Sequence, residues 1–172
     1  MIATPQPGVS LRFATREDVG LILAFVRELA EYERAPDAVV ADEAVLAANL
    51  FGDRPGAEVV IAEVEGQPAG FALFFHNFST WLGKRGLYLE DLFVRPEFRG
   101  RGVGQALMAF LAKLAIERGC GRFEWWVLDW NTPAIDFYRR LGAVGMDEWT
   151  VQRLTGDALQ KLAASFDTTA SP

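Results

Sequence analysis

From Val9 onward the chain alternates between short apolar runs and longer stretches in which apolar residues recur every three or four positions. Runs of the first kind predict strands, and the recurring pattern predicts helices with one buried stripe. Strands are expected over residues 9–14, 57–64, 68–78, 87–94 and 122–128, with a last strand pair within 143–154. Helices are expected after Thr15, where Val19, Ile22, Phe25, Val26 and Leu29 make one stripe, over 41–51, and from Gly102 to Arg118. Two more follow, one capped by Asn131 and ended by Gly142, the other over 155–166. Glu65, Gly66 and Gln67 predict a hairpin turn between two strands, and residues 79–86 are expected to cross over to the strand 87–94. A helix joins strands 87–94 and 122–128, so those two should run parallel. The expectation is one mixed sheet with helices on both faces, forming a single domain over residues 9–166. Residues 1–8, with two prolines and no periodicity, and residues 167–172 are expected to be loose.

The most informative stretch is the join after Val94. Pro96 ends the strand, and Arg99-Gly100-Arg101-Gly102-Val103-Gly104 leads into the long helix. Backbone N–H groups at a helix start lack intrahelical partners and lie at the positive end of the helix dipole. Bare of side-chain bulk, such a nest suits phosphate oxygens, and two guanidinium groups add charge. A tight turn that needs glycine for geometry alone fits the hexapeptide equally well. The dinucleotide fingerprint does not fit, because the third glycine is misplaced, and no Gly-Lys-Ser/Thr follows for a nucleotide P-loop.

Composition narrows the field. The 172 residues are 51% hydrophobic and 23% charged, as in an ordinary soluble globular protein, and the net charge of −6 argues against a nucleic-acid surface. It is compatible with a cationic small substrate. One cysteine, Cys120, excludes an internal disulfide, and one histidine, His76, excludes the usual zinc clusters, so no metal is expected. Neither a run of 18 apolar residues nor a signal peptide is seen, and cytoplasmic localisation without membrane contact is the expectation.

Arg-x-x-Gly-x-Gly after a strand ending Val-Arg-Pro resembles the pyrophosphate loop of the Gcn5-related N-acetyltransferases (GNAT). The segment Asn131-Thr132-Pro133-Ala134-Ile135-Asp136-Phe137-Tyr138 resembles their second motif, at the right spacing and in the right context. Within that superfamily the chain is most similar to the diamine (spermidine/spermine) and thialysine N-acetyltransferases, through Glu28-Leu29-Ala30-Glu31-Tyr32-Glu33, Trp81-Leu82-Gly83-Lys84, Leu87 to Val94 and Trp130-Asn131. The resemblance spans residues 11–162. It implies an α/β acyltransferase fold with a mostly antiparallel sheet splayed at its parallel central strands, acetyl-coenzyme A as cosubstrate, a small amine as acceptor, and a homodimer.

It also implies roles for particular residues. An alkylammonium group has a pKa of roughly 10, so a proton must be removed before its nitrogen can attack. Glu90, a carboxylate in an apolar strand, would be the general base; a salt-bridged carboxylate on a sheet face is its plain alternative. Strict alternation sends Glu90 and Asp91 to opposite faces, and only a bulge, which the resemblance implies, lets Asp91 help hold the ammonium. Tyr138 would protonate the departing thiolate; a core tyrosine beside Phe137 is the alternative. Main-chain N–H groups of Leu92, Phe93 and Val94, the loop Arg99, Gly100, Arg101, Gly102, Val103 and Gly104, and the side chain of Asn131 would bind the cofactor. Tyr32, Glu33, Asp91 and Trp149 would line the amine channel, where a solvated helix end and core packing are the alternatives for Glu33 and Trp149. His76 reads as incidental, and Cys120 without a nearby histidine speaks for direct transfer in a ternary complex over an acyl-cysteine. The chain departs from the family pattern at Arg101, a candidate extra phosphate contact, at Thr132, and over 144–150. A different amine acceptor, such as a protein N-terminus or an aminoglycoside, and a non-catalytic acyl-coenzyme A sensor remain the competing readings.

Overall fold

A computed structural model of the protein describes residues 1–168, in two compact units that meet in sequence at Trp126/Val127. The first unit is built on a sheet of six strands: β1 (Ile2–Ala3), β2 (Val9–Phe13), β3 (Glu58–Val64), β4 (Gln67–Ser79), β5 (Lys84–Val94) and β6 (Arg122–Trp125). They stand side by side in chain order, antiparallel throughout except for the parallel pair β5 and β6. Three helices accompany them: α1 (Val19–Tyr32), α2 (Glu43–Phe51) and α3 (Val103–Glu117).

Alternation along the strands supplies two buried faces. On one, Ile22, Phe25 and Leu29 of α1 and Leu50 of α2 pack with Val59, Ile61, Phe71 and Phe93. Phe25 lies flat on Phe71, with ring centroids 5.3 Å apart. The alternate residues of β3, Val60, Ala62 and Val64, are also buried, as are Val103, Leu107, Leu111 and Leu114 of α3, the stripe predicted from spacing. Phe110, counted in that stripe, is half-buried and meets Phe13 edge-on at 5.9 Å.

Polar contacts fix the ends. Thr15 and Asp18 close the predicted cap, the Thr15 N–H donating to Asp18 at 2.8 Å. Arg12 grips the same carboxylate with both Nη atoms, at 2.7 and 2.8 Å, and donates through Nε to Glu63. The Arg12 guanidinium therefore holds the Asp18 carboxyl down at about 2. A depressed carboxyl stabilises the fold above its unfolded value, near 3.8, and the gain is lost as pH falls through 2. Asp18→Asn is expected to lower unfolding free energy by about 1–2 kcal/mol at pH 7. Urea denaturation would show the difference shrinking between pH 4 and pH 2.

In this first unit three expectations change. The arm 1–8 is not loose at its start, because Ile2 and Ala3 pair with Leu11 and Ser10. Residues 79–86 do not cross over: Ser79 pairs with Lys84, so β4 and β5 form a hairpin closed by a four-residue turn with Gly83 at φ +61°. The turn from β3 needs only two residues, Glu65 and Gly66, both at positive φ.

The second unit, beginning at Val127, contains α4 (Thr132–Arg140) and α5 (Gly156–Thr168). Asn131 caps α4 through its side-chain oxygen, as predicted. The expected strand pair within 143–154 is absent: the segment is irregular, and Val144, Met146, Trp149 and Val151 are exposed. The run has strand propensity, but a strand also needs a partner edge, which no other described residue after Val127 offers. Of the tail expected to be loose, residues 169–172 lie outside the described residues.

Candidate active site

Two irregularities in β5 coincide. Its parallel pairing with β6 runs from Gly86↔Arg122 to Leu89↔Trp125 and stops. At the same point its register on β4 steps from Phe74↔Leu89 to Leu73↔Asp91, leaving Glu90 as the extra residue of a bulge. The bulge anticipated from the resemblance is thus present, and it removes the strict alternation that would separate Glu90 from Asp91. Beyond Leu89, among the described residues, β5 pairs only with β4, through Asp91, Leu92, Phe93 and Val94. Alternate main-chain groups of this last stretch point away from β4.

Three carboxylates gather here. Burial pushes the half-buried Asp91 up to about 6, and the charges of Glu90 and then Glu33 push it the same way. Burial alone raises Glu33, at the C-terminal end of α1. Tyr88 is driven up to about 12 by burial first and then by Glu90 and Glu124, so it is a neutral phenol. A cluster in which burial resists the ionisation of Asp91 and Glu33, with repulsion added at Asp91, is suited to receiving a cation or a proton. Tyr32, the last residue of α1, lies under the Arg99 guanidinium, 5.0 Å from it.

The glycine-rich join behaves as a phosphate nest would require. Gly100 and Gly102 have φ of +76° and +78°, a region strained for residues with a Cβ. Gly102 is the N-cap of α3 and brings no side chain to it. The first intrahelical bond is Ala106 N–H to Gly102 O, so the N–H groups of Val103, Gly104 and Gln105 precede the helical ladder. The two arginines are engaged within the protein: Arg99 Nε donates to Val94 O at 3.0 Å, and Arg101 pairs with Glu65 at 3.0 Å. Gln6, which the sequence reading passed over, lies against Gly102, and its amide oxygen is buried without a partner. A phosphate-bearing cofactor fits this cradle of main-chain donors and positive dipole.

In the second unit, Tyr138 sits on α4 with its ring 5.3 Å from Phe137, and Asn131 is buried at the head of the same helix. Trp149 is 65% exposed in the irregular segment. His76 lies elsewhere, in a cavity of about 460 Å³ where β3 begins, lined also by Glu58, Phe74 and Phe75. Glu58 is taken by Arg118, and burial lowers the proton affinity of His76. Among the described residues no group of three His, Cys, Asp or Glu side chains could hold a metal, and no helix is long and apolar enough to cross a membrane.

The chain is similar to known proteins over most of its length. Residues 22–143 match the family model described as "Acetyltransferase (GNAT) family". The chain is 40% identical over 166 residues to a thialysine N-epsilon-acetyltransferase of Sus scrofa, covering 90% of this chain and 97% of that one. It is 34% identical to an L-ornithine N5-acetyltransferase of Arabidopsis thaliana, covering 88% and 86%. Among solved structures, an integron cassette protein from the mobile metagenome of V. cholerae superposes with a TM-score of 0.77 at 30% identity, over 91% of this chain and 98% of that one.

Proposed function

Because this chain belongs to the GNAT family and is an N-acetyltransferase, we propose that it moves the acetyl group of acetyl-coenzyme A to a primary amine of a small di- or polyamine or a lysine-like amino acid. The observation that carries the reading is the cluster of Glu33, Glu90 and Asp91 at the bulge. The relatives are named for acetylating thialysine at Nε and ornithine at N5, in both cases a side-chain amine on a small amino acid. Such a substrate is cationic, and a site with three acids favours it by several-fold over a neutral analogue.

Acetyl-coenzyme A, when bound, supplies the activated acetyl thioester. The loop Arg99 to Gly104 holds its phosphates, Asn131 its pantetheine arm, and the outward main-chain groups of Leu92 to Val94 its carbonyls. Glu33, Glu90 and the Tyr32 ring draw in the ammonium group, and Trp149 completes the amine channel. Asp91, whose proton affinity lies near neutrality, is better matched than an ordinary carboxylate to accept the proton, sharing with Glu90 the role expected for that residue. Tyr138 holds a proton at Oη for the departing thiolate. The amine attacks directly, in a ternary complex. Residues 9–166 act as one catalytic domain, and the protein works as a homodimer, which light scattering would test.

The direct test is thiol release from acetyl-coenzyme A with spermidine, putrescine, thialysine, ornithine, lysine and a peptide amine, with product masses checked. Saturable turnover of one of the first five supports the reading; turnover of the peptide alone, or of none, sinks it. Tyr138→Phe keeps the ring and removes the proton, and kcat is expected to fall about 10²-fold with little change in the KM of either substrate. Unchanged turnover would remove Tyr138 from the mechanism.

A further inference from the structure

We propose that Glu124 and Arg122 bind the α-ammonium and α-carboxylate of the acceptor, which makes that acceptor a free diamino acid and not a diamine. The inference rests on the acceptor reading above and chooses between the two substrate classes that it leaves.

The register of the sheet lines these two residues up with the acids at the bulge. Phe75, Tyr88 and Glu124 stand abreast on β4, β5 and β6, and Asn77, Gly86 and Arg122 make the next row. Leu73 and Asp91 make the row on the opposite side of Phe75 and Tyr88. Residues two apart on a strand share a face, and the bulge brings Asp91 onto the face of Tyr88, so Asp91, Tyr88, Glu124 and Arg122 lie on one side of the sheet. From the row of Asp91 to that of Arg122 is about 13 Å along the strand, with Glu124 about halfway. An extended lysine-like amino acid with a hydrogen bond at each end reaches roughly as far. Between the ends the wall is apolar. The Tyr88 ring lies 5.0 Å from that of Phe75 and meets Trp126 edge-on at 5.8 Å. Trp126 follows the last pair of β5 with β6 and is 59% exposed, so its indole offers surface to the methylene chain.

The far end of this face carries one charge of each sign. Arg122 Nε stands 2.8 Å from Glu124 Oε2, yet its N–H is aimed at no acceptor among the described residues, so the two form an ion pair without a hydrogen bond. Asn77 Nδ2 donates to the same oxygen at 2.9 Å. Among the described residues Glu124 Oε1 and both Nη groups of Arg122 have no partner, and each side chain is 36% exposed. Gly86 makes room for the guanidinium stem: a Cβ there would stand 3.1 Å from Arg122 Cγ. The α-ammonium and α-carboxylate of an amino acid are likewise neighbouring charges of opposite sign. Glu124 Oε1 accepts from the first, and the Nη fork donates two parallel hydrogen bonds to the second. A diamine brings only a cation to the same place, which Glu124 attracts and Arg122 repels.

Steady-state acetylation by the full chain is compared for two matched pairs, lysine with cadaverine and ornithine with putrescine, each diamine being its amino acid without the carboxylate. In the better-used pair the wild type is expected to favour the amino acid by about 10-fold or more in kcat/KM. Equal use of both, or preference for the diamine, overturns the proposal. Arg122→Gln should cut that ratio about 10-fold, through the KM of the amino acid, and Arg122→Lys, which keeps the charge without the fork, should cut it less. Glu124→Gln should raise the KM of lysine and of cadaverine more than that of pentylamine, which has no second ammonium. A ratio within twofold of wild type in both Arg122 variants overturns the assignment of Arg122, and an equal effect of Glu124→Gln on all three amines overturns that of Glu124. Failure of the wild-type chain to acetylate either pair would overturn the acceptor reading first, and the head-group site with it.

Discussion

Asp91→Asn is expected to lower kcat/KM for the amine by about 10²–10⁴-fold, the range for loss of a positioned general base. The wild-type profile of kcat/KM should fall on the acid side with a midpoint near pH 6, where the Asp91 carboxyl takes up its proton. The variant should lack that limb. Stability should move the other way. A carboxyl raised from 3.8 to about 6 favours the protonated fold, so its ionisation costs stability that is absent below pH 3.8, grows up to pH 6 and is complete above it. At about 1.4 kcal/mol per tenfold change in proton affinity, the cost at pH 8 is up to about 3 kcal/mol. The asparagine, neutral throughout, should recover about 1–2 kcal/mol of it, since its own amide must still be hydrogen-bonded. Urea melts at pH 8 and pH 3.5 separate the two: a gain at the first and none at the second. A variant that is as active as wild type would remove Asp91 from the proton path.

Gly70→Ala is expected to destabilise the protein by about 3 kcal/mol, at the upper end for overpacking. Its Cβ would stand 2.3 Å from Phe93 O and 3.0 Å from Val94 Cα, and both neighbours are backbone, which cannot step aside as a side-chain tip can. β5 must therefore leave β4 at Phe93 and Val94, the strand end that precedes the Arg99–Gly104 loop. Melting temperature should drop by roughly 6–12 °C, and the KM for acetyl-coenzyme A should rise in whatever protein stays folded. An unchanged melting temperature would mean that the two strands have room the geometry does not show.

The helices and the two glycine-bearing motifs were legible because their signals are local. The stripe on α3, the Asn131 cap and the Thr15/Asp18 cap each depend on residues within a few turns of one another. The bulge at Glu90 was legible only through the resemblance, since Leu89-Glu90-Asp91-Leu92 by itself reads as an interrupted alternation that either pleat or bulge could accommodate. The proton affinity of Asp91 was not legible at all, because it arises from burial and from Glu33, which comes from a different element. The Gln6-Pro7-Gly8 turn carried a plain signal that was outweighed by the two prolines, and the contact of Gln6 with Gly102, nearly a hundred residues on, carried none. The segment 143–154 failed in the opposite direction: propensity was present without a partner edge.

The chain-order arrangement of the sheet bears on how the protein reaches this structure. β3, β4 and β5 are two successive hairpins with loops of two and four residues, so their pairing closes only short loops and costs little chain entropy. The pairings of β2 with β3 and of β5 with β6 each span helical segments and must wait for more distant collisions. The double hairpin is therefore the natural nucleus of folding, and the bulge belongs to it. Gly70→Ala should accordingly slow refolding more than it speeds unfolding, and mutations in β6 should do the reverse. The segment that carries the acids would then be the first part of the sheet to take its final form.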